Sequence, residues 1–277
     1  MDSRQTSVQL KSLGMRKFCG NCLSMQPQGE GVCSACGSEW LSVPRPGVLP
    51  QTLGGLELGT AVRRGDSWLV HGSRDEASFL VRVQKIPPGG SLPEPQTCPQ
   101  EGLAALSSGS GEGLYWMVWP WPEMTLAGRP RLSSKKALSA WGTHLKTLEI
   151  LVTQGQEPAP WQIVRVDRRW RVLCGWPSSG EEGDRCGMSL LAAPERHRGS
   201  LSGKGAVVYC AAAVLYHLTV GQAPLGALLP PSGQHQNLSP LDLALLEGLH
   251  PSPHRRPTVL QLQKRVRRST FPVPATA

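Results

Sequence analysis

A chain of 277 residues, 39% hydrophobic and 18% charged, has the composition of a globular protein, which excludes a disordered tail or a membrane protein as a description of the whole. It contains no run of about 18 consecutive apolar residues, and the opening MDSRQTSVQLKSLG is polar. We therefore expect no transmembrane helix and no secretory signal, and a cytoplasmic protein. The formal charge of +9 invites an anionic partner, but the cations are scattered apart from Arg255, Arg256 and the group Lys264, Arg265, Arg267 and Arg268, which also suit a helix C-terminus.

The chain has eight cysteines, and in a reducing compartment these point to metal or to buried thiols rather than to disulfides. Spacing separates the two cases. Cys19 and Cys22, then Cys33 and Cys36, form two C-x2-C knuckles ten residues apart. A knuckle turns two thiolates toward one centre, and two knuckles complete the tetrahedral sulfur shell that zinc prefers. Gly20 and Gly37 offer the backbone freedom such turns need. The expectation is one structural Zn2+ held by Cys19, Cys22, Cys33 and Cys36, with no open coordination position for catalysis. Residues 16–40 resemble the zinc-ribbon modules of many bacterial multidomain proteins. Cys98, Cys174, Cys186 and Cys210 lack ligand spacing and are assigned no metal.

The organisation expected along the chain is a flexible N-terminus (1–14), the ribbon (15–42), a Pro-rich linker (43–52), a β-rich unit (53–122), a mostly helical unit (123–268) and a flexible tail (269–277). LELGTAVRR, SWLVHGS and ASFLVRVQKI read as three antiparallel strands, turning at Arg64-Gly65-Asp66 and Ser73-Arg74-Asp75. The Pro/Gly/Ser-rich segment that follows has room only for a short helix around Pro99 to Ser107, and LYWMVWPW then reads as a buried strand. Trp116, Trp119 and Trp121 in and after that strand are assigned to packing rather than to ligand stacking.

From Ser133 the period changes. Leu138, Trp141, Leu145, Leu148 and Leu151 recur at steps of three and four, predicting an amphipathic helix capped by Ser133 or Ser134. WQIVRVDRRWRVLCG predicts a hairpin turning at Asp167-Arg168-Arg169. Lys204 to Val220 is nearly all apolar yet too short to span a bilayer comfortably, so it reads as a helix buried on all sides. LSPLDLALLEGL and RPTVLQLQKRV predict two more helices, the second with Pro257 at its N-terminus. The histidines, His144 and His217 among them, show no triad or metal spacing.

In this order, residues 53–268 resemble the protein-kinase fold, which implies an α+β architecture: the ribbon, then a compact two-lobed domain with a β-rich N-lobe and a mostly helical C-lobe. Ala193-Pro194-Glu195 matches the family's Ala-Pro-Glu motif, and HPSPHRRPT matches the segment whose arginine pairs with that glutamate. The resemblance implies a buried ion pair between Glu195 and Arg256. VVYCAAAVLYHLTVGQAPL resembles the central buried helix and the turn after it.

The same resemblance exposes departures. The family's strand lysine falls at Arg82, with Lys85 out of register. Gln162 stands at the metal-binding Asn, and Glu157 lies near the catalytic Asp. The Asp-Phe-Gly position reads Leu173-Cys174-Gly175-Trp176, the glycine-rich loop is reduced to RRGDS, and the Asp that opens the central helix falls at Val207. Phosphoryl transfer rests on positioned charge, so we expect a pseudokinase of the serine/threonine type with no catalytic residues, acting through protein partners. An atypical active serine/threonine kinase would need ligands from Glu157, Asp167, Glu181, Glu182 or Asp184. A nucleic-acid-binding zinc-ribbon protein would instead use Lys11, Arg16, Lys17 and the late basic cluster, but Phe18 and Trp40 alone supply few stacking surfaces. No membrane partner is expected. Nucleotide binding, with Arg82 as a bidentate hydrogen-bond donor to phosphate, is left open by the sequence.

Overall fold

β1 (Lys17–Phe18) and β2 (Met25–Gln26) pair antiparallel beside the first cysteine knuckle. They open the computed structural model, which describes residues 17–26, 31–39, 41–64, 67–86, 102–128, 132–153, 160–174, 191–197, 203–224, 228, 230–232 and 238–269. Two compact units result, Met1–Leu92 with Ala105–Pro122, and Pro93–Ala104 with Glu123–Ala277.

In the first unit, β3 (Thr52–Leu53), β4 (Leu56–Arg64), β5 (Ser67–Arg74), β6 (Ala77–Lys85), β7 (Ser107–Gly111) and β8 (Leu114–Pro120) form one antiparallel sheet. Its strand order is β3-β4-β5-β6-β8-β7. Two-residue turns with both φ angles positive join β3 to β4 (Gly54, Gly55), β5 to β6 (Asp75, Glu76) and β7 to β8 (Glu112, Gly113), the conformation whose twist matches paired strands. The β5–β6 turn is therefore Asp75–Glu76 rather than Ser73-Arg74-Asp75, because Ser73 and Arg74 still pair with Ser78 and Ala77.

The helix expected around Pro99 to Ser107 is absent from residues 102–107. Leu103 instead forms a parallel bridge to Leu173, and Ser107 begins β7. The glycines that discourage a helix there serve the sheet, since a Cβ on Gly109 would lie 2.4 Å from Trp116 Cζ2. Val70, Val81, Val83 and Val118 line one face of the sheet and pack with Leu49, Leu53 and Leu56. The Pro-rich stretch 43–52 thus contributes to the core, as Leu49 is only 2% exposed.

The second unit carries a three-stranded sheet of order β11-β10-β9, built from β9 (Met124–Thr125), β10 (Ile163–Val166) and β11 (Arg169–Val172). Asp167 and Arg168 make its positive-φ hairpin turn. Around it lie α1 (Ser134–Thr153), α2 (Pro194–His197), α3 (Lys204–Val220), α4 (Pro240–Gly248) and α5 (Val259–Arg268). Every residue of α3 from Ala206 to Thr219 is buried. A helix apolar all round has no face to give to water, so α1, α4 and α5 pack against it. Trp141 Nε1 of α1 donates to the Ala211 carbonyl of α3 at 2.7 Å.

α4 and α5 both start with reciprocal capping boxes, Ser239 with Asp242 and Thr258 with Gln261. Pro257 therefore precedes the cap instead of occupying the first helical turn. Among the described residues no helix is long and apolar enough to cross a membrane.

Candidate metal centre and the anchor of the helical unit

The two knuckles fold as backbone repeats of each other. Leu23 N donates to Cys19 O at 2.9 Å, and Gly37 N donates to Cys33 O at 2.8 Å. The residue after each second cysteine is left-handed, Leu23 at φ 58° and Gly37 at φ 74°. Gly37 thus takes the conformation that favours glycine, while in the first knuckle Leu23 and not Gly20 carries that demand.

The four ligand atoms lie within 4.8 Å of one another, and all four cysteines are buried. Cys19 Sγ is 3.6 Å from Cys36 Sγ, and Cys22 Sγ is 3.5 Å from Cys33 Sγ. A tetrahedral ion at about 2.3 Å from each sulfur would hold them about 3.8 Å apart, so the cluster fits a metal ion of that size.

Polar groups surround the sulfurs. Asn21 N donates to Cys19 Sγ at 3.3 Å and Asn21 Nδ2 to Cys36 Sγ at 3.6 Å. Gln26 Nε2 donates to Cys33 Sγ at 3.2 Å, and Ser24 Oγ lies 3.2 Å from Cys22 Sγ. The hydrogen bond from Cys22 holds the Cys19 thiol down at about 5, while the same partnership, with burial, pushes Cys22 up. Burial also raises Cys33. The N–H donors of Asn21 on Cys19 and Cys36, and of Gln26 on Cys33, favour negative charge on those sulfurs. Spacing alone did not single out Asn21, Ser24 or Gln26, although all three fall between the first and third cysteines.

In the second unit the structure brings Glu195 and Arg256 together. Arg256 Nη1 meets Glu195 Oε1 at 2.6 Å and Nη2 meets Oε2 at 2.8 Å, a bidentate pair. Burial, the largest single influence, raises the Glu195 carboxyl, but the Arg256 hydrogen bonds, a backbone N–H and the charges of Arg256 and Arg196 together outweigh it and leave the group below the ordinary carboxylate range. The remaining guanidinium N–H groups reach the carbonyls of His250, Gly205 and Pro251 at 2.6, 2.9 and 3.0 Å. Arg256 Cζ also stands 5.0 Å from the Tyr209 ring centroid.

Arg82 sits mid-strand in β6, between Leu69 and Met117, and is 4% exposed. Lys85 ends that strand. Gln162 closes a short 3-10 turn, and its carbonyl accepts from Leu173 N at 2.9 Å. Leu173 and Cys174 are 2% and 1% exposed. Leu103 N donates to Val172 O and Cys174 N to Leu103 O, so this backbone is paired, and the Cys174 thiol donates to Val172 O. Val207 is buried in α3. Glu157, Glu181, Glu182, Asp184, Gly65, Asp66, Gly175, Trp176, Lys11, Arg16, Trp40, Cys98 and Cys186 lie outside the described residues. Cys210 is buried within α3.

The sheet and helices together make a protein-kinase-like fold. Three solved structures of the PknI kinase domain of Mycobacterium tuberculosis are similar to it. One double mutant is 15% identical over 80% of this chain and 100% of that domain, with a TM-score of 0.55. The domain without those mutations is 16% identical over 79% and 97%, TM-score 0.52. A second double mutant is 17% identical over the same shares, TM-score 0.53. No protein-family model matches the sequence, and no curated protein matches it.

Proposed function

We propose that this chain is a pseudokinase: a non-catalytic, protein-kinase-like interaction or regulatory protein of the cytoplasm, carrying one structural zinc ion in its N-terminal ribbon. The observation that carries the reading is the end of β11. Where the fold's metal carboxylate would stand, the chain has Leu173 and Cys174, buried, backbone-paired to Leu103 and with the thiol turned to Val172 O. Neither side chain offers oxygen to magnesium, a hard cation that binds through carboxylates and phosphates. Arg82 in the strand-lysine position and Gln162 in the Asn position support the same conclusion. Loss of one preorganised donor typically costs about 10²- to 10³-fold in rate, and several are substituted here.

In the ribbon, four thiolates would fill the zinc shell, supplying folding energy and no Lewis-acid position. Cys19, Cys22, Cys33 and Cys36 hold the ion, and Asn21, Ser24 and Gln26 orient and stabilise the sulfurs. The output is then binding of a protein partner. Tight, salt-sensitive binding to DNA or RNA would point to the nucleic-acid alternative.

The test is incubation with radiolabelled ATP and magnesium, then manganese, of the wild type and of the Arg82→Ala/Glu157→Ala double variant. No labelling of either is expected. Metal-dependent labelling of the wild type that vanishes in the double variant would overturn the pseudokinase reading. Labelling that persists in both identifies a co-purified kinase.

A further inference from the structure

The ribbon is built into the edge of the sheet. Residues 41–43 run as a strap between them. On one side Leu41 bridges Cys19, Ser42 N donates to Phe18 O, and Phe18 N donates to Ser42 Oγ, both at 2.8 Å. On the other side Val43 N donates to Ala61 O at 2.9 Å and Ala61 N returns a bond to Val43 O at 2.8 Å. Ala61 follows an irregularity in β4, whose register to β5 shifts between Leu58 and Ala61. β3 covers the outer edge of β4 only at Leu56 and Glu57, and Leu58 N is taken by Gln51 O. Val43 covers Ala61. Without the strap, the part of β4 that extends beyond β3 would present unpaired backbone, which folded proteins avoid.

An aromatic contact makes a second tie. Phe18, next to the ligand Cys19, is fully buried, and its ring meets Trp121 edge-on at 5.2 Å. Trp121 meets His71 of β5 edge-on at 5.1 Å. His71 Nε2 lies 3.0 Å from Ser78 Oγ, and Trp121 N donates to Ser78 O at 3.2 Å. From the cysteine ligand to the third strand of the sheet the contacts are continuous.

We infer that metal occupancy of the ribbon acts as a conformational switch for the sheet: the bound ion holds the 41–43 strap on β4 and the Phe18 ring on Trp121, and its removal releases both. The inference rests on the metal reading above. A ribbon with few apolar residues of its own depends on its ligands for folding, and Phe18 and Ser42 keep their places only while the knuckle beside them is formed.

The experiment follows amide exchange by NMR and tryptophan emission on the full chain, before and after a mercurial thiol reagent releases the metal into a colorimetric chelator. Release is expected to speed exchange at the Ala61 amide by about tenfold or more, as for a local opening, with α3 amides unchanged. The emission of the wild type should change, and this change should be missing from Trp121→Phe. Val43→Pro, which removes the N–H accepted by Ala61 O, and Phe18→Ala should keep the metal yet break the dependence of Ala61 exchange and of Trp121 emission, respectively, on it. Metal released with Ala61 exchange and Trp121 emission both unchanged overturns the switch while leaving the metal reading intact. No metal released overturns both.

Discussion

Arg256 directs all five of its guanidinium N–H groups to acceptors in the second unit, two of them to the Glu195 carboxylate 61 residues earlier. The Arg256 side chain has no exposed surface in the ion pair, and that of Glu195 is 16% exposed. Removing either member leaves the other without its counter-charge. Glu195→Ala or Arg256→Ala should destabilise the second unit by about 3 to 5 kcal/mol, the usual effect of breaking a buried pair. Arg256→Lys should recover little, because one ammonium cannot reach four residues at once. Chemical denaturation followed by circular dichroism checks this, and losses below about 0.5 kcal/mol, the scale of surface pairs, would contradict it.

His144 makes stability depend on pH. The residue is fully buried in α1. Burial first, then the nearby positive charge of Arg171, lowers its imidazole to about 4. The unfolded chain holds a proton on this histidine below about 6.5 while the folded one does not, so stability is complete above that pH and declines as pH falls toward 4. The loss is on the order of 3 kcal/mol across the window. Unfolding free energies measured from pH 7 to 4.5 should show the decline in wild type and a shallower one in His144→Leu. Parallel slopes would remove His144 as its source.

The crossing of α3 and α4 depends on Gly248. A Cβ there would stand 2.7 Å from the Ala212 Cβ and 3.4 Å from Leu262 Cδ1. Gly248→Ala should therefore cost about 1 to 3 kcal/mol through overpacking. The double variant Gly248→Ala/Ala212→Gly should be more stable than the sum of the single effects implies, as residues in contact couple. Simple additivity in thermal unfolding would show that the helices part without strain.

Gln26 braces the cysteine cluster although it is not one of the four cysteines. It donates to Cys33 Sγ, and its Oε1 accepts from Ser34 N at 3.1 Å, so it holds the second knuckle from both sides. Gln26→Leu should weaken metal affinity by about 10- to 100-fold, the usual effect of losing an outer-shell partner. Competition with a chromophoric chelator measures this. An unchanged affinity would mean that the amide only fills space.

By itself the sequence determined the cysteine cluster, the buried helix at Lys204–Val220 and the hairpin at Asp167. Each is local: a C-x2-C knuckle aims its own two sulfurs, an unbroken apolar run has no polar face to expose, and a turn follows from adjacent residues. The kinase-like fold was legible in the order of predicted elements along the chain. Tertiary structure alone decided the rest. Val43 and Leu49, in a stretch that reads as a linker, join the sheet because their partners, Ala61 and the valines of β5, β6 and β8, are contributed from elsewhere. β7 is a strand despite Ser-Ser-Gly-Ser-Gly because Trp116 needs the space that Gly109 leaves. Three of the acceptors around Arg256 are main-chain carbonyls, which every residue possesses, so only the folded backbone reveals which of them meet at one guanidinium.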